Sequence, residues 1–136
     1  MGFPTQSEPP VTAKAKVISF ANQKGGVAKT TTTLNLAVAF AEEGHRVLCC
    51  DMDPQGNLTM SQGIDPDSVE TSMYHVLVHR VSIREVIRRC EVDVACASID
   101  LAGAEIAMST QIGRERALEK ARAAGDAFAQ AQVDLV

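Results

Sequence analysis

The sequence predicts an α/β fold, a parallel sheet with flanking helices, and three observations lead to it. Two β-favouring runs, KVISFA at 16–21 and RVLCCD at 46–51, bracket a stretch whose apolar residues recur at helical spacing. A glycine-bearing loop, NQKGGVAK at 22–29, joins the first run to that stretch. Strand, loop, helix and strand within about 35 residues make a βαβ unit, with parallel strands and a right-handed crossover.

Each element has its own reason. Residues 1–14, opening MGFPTQSEPPVTA, lack the apolar centre of a secretory signal and read as a flexible tail ahead of one domain at 15–136. From Lys29 onward, Leu34, Ala37, Val38 and Ala41 fall at i, i+3, i+4 and i+7, one helical face that stops at Gly44. Residues 46–51 are a buried strand. Residues 52–67 are rich in Pro, Gly, Asn, Asp and Gln and read as a long loop. A short helix is expected at 73–78. Ser82 caps another, with Ile83, Val86 and Ile87 inward, Arg84, Arg88 and Arg89 outward, and Glu85 placed to support Arg89. VDVACA at 92–97 is a third strand, helices follow near 101–108 and 114–129, and VDLV at 133–136 opens a further strand.

Seventeen acidic against thirteen basic residues leave a net charge of -4, which gives no overall nucleic-acid footprint. The exposed arginines therefore read as a solvated face. No run approaches the ~18 to 20 apolar residues of a membrane span, so no membrane partner and a cytoplasmic location are expected. Cys49, Cys50, Cys90 and Cys96 form no C-x-x-C pair, which favours buried thiols over a zinc or redox site.

The loop at 22–31 carries the chemistry. A glycine-rich turn between a strand end and a helix N-terminus aims several N–H groups at one point, and the helix dipole adds positive charge there. Gly25, Gly26 and Val27 would form such a cradle for phosphates. Lys29 is placed to reach β and γ phosphates, Thr30 to offer a hydroxyl to Mg²⁺, and Thr31 to donate to the α phosphate. A lysine at a helix start otherwise opposes the dipole. Lys24 is either a solvated lysine or one that reaches a nucleotide on a second subunit. Asp53, just past a strand end, either caps the following loop or serves a ligand gathered at the strand C-termini.

KGGVAKTTT at 24–32 resembles the deviant Walker A motif K-G-G-x-G-K-[ST]-T of the ParA and MinD family of ATPases, with Ala28 in place of glycine. VLCCDMDPQGNLT at 47–59 is similar to the family's second motif in its ParA spelling. MYHVLV at 73–78 and IDLAGAEIAM at 99–108 also resemble ParA/Soj partition proteins. The resemblance implies a P-loop NTPase that uses ATP and Mg²⁺, works as a homodimer sandwiching nucleotide, and partitions chromosomes or plasmids. It implies a ParB-like activator and non-specific DNA as partners, with nucleoid association where DNA binding is retained.

Position by position, Lys24 resembles the signature lysine that crosses to the partner's nucleotide, and Lys29 the P-loop lysine. Residues 24–31, Ala28 among them, resemble the nucleotide-binding stretch, with Thr30 as the Mg²⁺ ligand. Asp53 falls on the aspartate that orients the attacking water, Asp51 on a structural or outer-shell position, and 54–57 on the switch I loop. If position 28 needs positive φ, alanine costs about 1–2 kcal/mol there, and its methyl crowds the phosphate path.

The family continues beyond a strand like 133–136 into a Walker B aspartate and a basic DNA-binding surface, so the chain reads as the N-terminal portion, incomplete at the C-terminus. Exposed sheet edge and marginal stability are expected of it alone. The alternative function is a catalytically inactive nucleotide-binding and dimerisation module. A MinD-like positioning ATPase fits the D-P-Q-G-N spelling less well.

Overall fold

The computed structural model describes residues 15–124. The 1–14 tail, the 133–136 strand and the end of the 114–129 helix lie outside the described residues. Helix α1 (Lys29–Glu42) begins where the helical spacing begins, and it ends where Gly44 takes φ +87°. There Glu43 and Gly44 donate to Ala39 and Ala41, and His45 donates to Phe40.

Strand β1 (Leu48–Cys50) pairs in parallel with β3 (Asp93–Ala95), Cys49 opposite Val94. A short β2 (Ile87–Arg88) runs antiparallel on the far side of β3, giving the order β1-β3-β2. Successive side chains of a strand point to opposite faces. Leu48 and Cys50 accordingly join a core with Met73, Val76, Ile83 and Val86, while Cys49, Val94 and Cys96 join one with Ala37 and Leu58. The sheet is thus covered on both faces, α1 on one and α3 (Met73–His79) and α4 (Ile83–Val86) on the other. This is why β1 reads as an unbroken apolar run. Cys49, Cys50 and Cys96 are buried free thiols, and Cys90 is half-buried. Burial pushes the Cys96 thiol up to about 11, so it stays protonated at neutral pH.

Four expectations are corrected. Residues 16–21 form no ladder among the described residues. Ile18 and Phe20 pack on the α1-side core as a strand's inner face would, but a strand also needs a neighbour for its N–H and C=O groups, and none is supplied there. The 52–67 loop holds a helix, α2 (Asn57–Ser61), and a single 3₁₀ turn at Pro66–Ser68. The helix capped by Ser82 stops at Val86, since Ile87 has extended φ/ψ (−77°, 132°) and starts β2. Arg88 then donates to the Glu85 and Ile87 carbonyls, and the helical Glu85–Arg89 spacing is lost. The 101–108 helix is split into a 3₁₀ segment, Ile99–Gly103, and α5 (Ala104–Ala107). After a 3₁₀ turn at Arg114–Arg116, α6 (Ala117–Ala124) packs on α3. Arg84, Arg88 and Arg89 are exposed, as the sequence suggested. No helix of the described residues is long and apolar enough to cross a membrane.

Candidate functional site

The loop at 22–28 is exposed from end to end and runs directly into α1. Asn22 begins it with an Asx turn, its Oδ1 accepting the Lys24 N–H at 2.8 Å. Lys29 closes it from the other side, Nζ donating to the Lys24 carbonyl at 3.2 Å. The main chain of Lys24 is therefore held at both its N–H and its C=O, while its side chain lies in an exposed residue.

Gly26 has φ +71°, and a Cβ built on either Gly25 or Gly26 would meet nothing within 4 Å. That open space lets an oxyanion approach the backbone. Ala28 stands at the helix N-cap in the left-handed region, φ 60° and ψ 30°, and no side chain caps α1. The first-turn amides of a 14-residue helix thus face outward uncapped, which suits an anion. Residues 25–31 are contiguous there, with Lys29 and Thr30 half-buried. The residue before Lys29 does adopt positive φ, so the strain expected of Ala28 is present. Ala28→Gly should raise stability by up to about 1 kcal/mol, the left-handed cost relieved less glycine's entropy. It should also tighten ATP binding by removing the methyl. Paired thermal melts and calorimetry check the two effects, and an unchanged or weaker affinity would refute the crowding.

The second arm of the site follows β1. Asp51 is buried at its end, and Oδ2 accepts both the Thr59 N–H (2.9 Å) and the Thr59 hydroxyl (2.7 Å). Its Oδ1 accepts the Asp53 N–H at 3.1 Å. Thr59, fully buried in α2, also accepts the Ala97 N–H at 3.0 Å through Oγ1. One hydroxyl thereby ties the end of β1, the helix after it and the chain leaving β3. Nothing in sequence spacing pointed to Thr59, because its partner Ala97 lies 38 residues away.

Asp53 is exposed, and its Oδ1 accepts the Gln55 N–H at 3.0 Å, a local turn at the start of the following loop. Gly56 donates instead to the Asp53 carbonyl at 2.9 Å and, with φ 63°, starts α2, which packs on α1. Asp51 and Asp53 thus separate into a buried anchor and an exposed carboxylate.

Burial pushes the Asp51 carboxyl above its ordinary 3.8, against the pull of the hydrogen bonds from Thr59 and Asp53. With the folded value raised, the native state binds more protons than the unfolded chain between the two values. Asp51's contribution is full below 3.8 and is lost as pH rises through the folded value. An NMR titration of the Asp51 carboxyl should give a midpoint above 3.8, and a midpoint below it would contradict the burial argument.

Residues 15–126 match the AAA domain family. The chain is 46% identical over 109 residues to the sporulation initiation inhibitor protein Soj of Bacillus subtilis, covering 78% of this chain and 43% of Soj. It is 40% identical over 109 residues to the chromosome partitioning protein ParA of Myxococcus xanthus, covering 78% of this chain and 38% of that protein. Among solved structures it is similar to a cobyrinic acid a,c-diamide synthase of Mycobacterium smegmatis with bound ADP and magnesium. There the TM-score is 0.84 at 43% identity, over 88% of this chain and 50% of that one. The chain spans less than half the length of these curated relatives. With the P-loop geometry at the start of α1 and the aspartate pair after β1, these likenesses settle its kinship: the chain belongs to the AAA domain family, as a P-loop protein of ParA/Soj type.

Proposed function

We propose that residues 15–136 form the N-terminal part of a Mg²⁺-dependent ATPase of ParA/Soj type that acts in DNA partitioning. The observation that carries this reading is the uncapped start of α1, entered through Gly25, Gly26 and a left-handed Ala28, with room against the backbone for phosphate oxygens. The amides of residues 25–31 and the Lys29 ammonium would hold the triphosphate. Mg²⁺, when bound, would neutralise phosphate charge, with the Thr30 hydroxyl as its ligand from this chain.

Asp53 would orient the attacking water, as an exposed carboxylate with acceptor capacity left beyond its bond to Gln55. Lys24, with its main chain fixed, would extend its ammonium to the nucleotide of a second copy and stabilise charge developing at the γ phosphate. The nucleotide-sandwich homodimer follows from that reach. A ParB-like activator and non-specific DNA would be the partners, and the nucleoid in the cytoplasm the place of action.

Calorimetry with ATP and Mg²⁺ tests the reading, with saturable heat expected. No heat at millimolar ATP on folded protein would overturn it. The Mycobacterium smegmatis structure favours one other reading, the ATP-using part of a cobyrinic acid a,c-diamide synthase. Turnover stimulated by DNA and an activator protein selects partitioning, and turnover stimulated by cobyrinic acid selects the synthase.

A further inference from the structure

We propose that the groove between α3 and α6 docks an acidic amphipathic segment of a partner protein. It is a cavity of about 390 Å³, in the size range of ligand clefts, about 300–1,000 Å³. Its floor is apolar, from Val76 and Leu77 of α3 and Ala117 and Ala121 of α6. Among the described residues three cations line it, Arg80, Arg114 and Lys120, and no Asp or Glu does. In a chain of net charge -4, an all-cationic lining is a local concentration of charge rather than a sample of the surface.

The cations are placed rather than loose. Gly113 has φ +75°, and a Cβ there would meet Lys120 Nζ at 2.8 Å, so the ammonium lies over the turn. Arg114 donates to the Ser109 carbonyl at 3.1 Å. Glu119 makes its direct ion pair with Arg116, at 2.7 and 2.9 Å, rather than with Arg114 or Lys120.

Beside these charges Ile112 is 96% exposed at the groove's edge. An apolar floor and an exposed isoleucine ask for apolar anchors, and three cations ask for carboxylates around them. A nucleic-acid backbone offers the charge without the anchors, so a protein segment fits better. This docking does not depend on nucleotide binding.

The test is fluorescence anisotropy with a labelled synthetic helical peptide, leucines at i and i+4 on a glutamate-rich background, titrated with the full chain. Saturable, salt-sensitive binding is expected. Twins with lysine for glutamate, or serine for leucine, should bind at least about tenfold more weakly. Lys120→Glu and Arg114→Glu should each weaken the parent peptide similarly, with unchanged circular dichroism. No saturable binding, or equal binding of either twin, overturns the proposal. Equal binding by the leucine-free twin would indicate a bare anion site, and duplex DNA binding in place of peptide binding a nucleic-acid surface. Should the variants unfold, the peptide twins on the unaltered chain decide alone.

Discussion

Replacing Lys24 with alanine is expected to lower ATP turnover by about 10²- to 10³-fold, the usual effect of removing a preorganised cationic or hydrogen-bonding group from developing charge. ATP affinity should stay within about threefold, or under 1 kcal/mol. The reason for the split is structural. The Lys24 backbone is anchored by the Asn22 carboxamide and by Lys29 Nζ, and neither bond uses the Lys24 side chain. Truncation therefore removes a cation and leaves the loop in place. Asp53→Ala should lower turnover similarly while releasing Gln55 from its turn. Phosphate release beside calorimetry on the same preparations measures both quantities. Turnover preserved in Lys24→Ala would remove the partner-crossing role, and affinity lost with turnover would place Lys24 among its own loop's binding groups.

Gly56→Ala is expected to be the most damaging single methyl in the described part of the chain. Gly56 has φ +63°, and a Cβ there would stand 2.7 Å from Pro66 Cγ and 2.9 Å from Pro66 Cβ. Pro66 is buried, so it cannot swing away as a flexible chain end could. The left-handed conformation costs an L-residue about 1–2 kcal/mol, and forcing an extra methyl into packed surroundings about 1–3 more. A loss of about 3 kcal/mol should lower the melting midpoint by roughly 10 °C. Gly63→Ala, also at positive φ (80°) but with nothing within 4 Å, isolates the backbone share. Equal losses in the two variants would show that Pro66 yields.

Where periodicity dominates, the fold was legible. α1, α3, β1 and β3 lie close to where apolar spacing places them, because one-sided or two-sided burial leaves a local signature. The corrections come from pairing and from turns. Residues 16–21 have a strand's alternation without its ladder, since alternation records burial and not the presence of a neighbour. α2 was hidden inside a stretch of Pro, Gly and Asn, because a left-handed Gly56 can start a helix as readily as it can break one. Ile87 and Arg88 leave their helix to pair with β3, a choice made by tertiary contact. In the candidate site the shape of the 22–28 loop was readable because its parts are contiguous, the positive φ at Ala28 included. Thr59 was not, since one of its two partners, Ala97, comes from a distant strand end.

That threonine limits how the segment after β1 can move. A hydroxyl has a single proton, here given to Asp51, and the lone pair it offers in return satisfies Ala97. Shifting α2 outward would strand a buried amide at a cost of about 1–3 kcal/mol. Rearrangement is therefore cheapest between two pins, in the seven residues from Met52 to Leu58, while the rest of the crossover rides with the sheet as ballast.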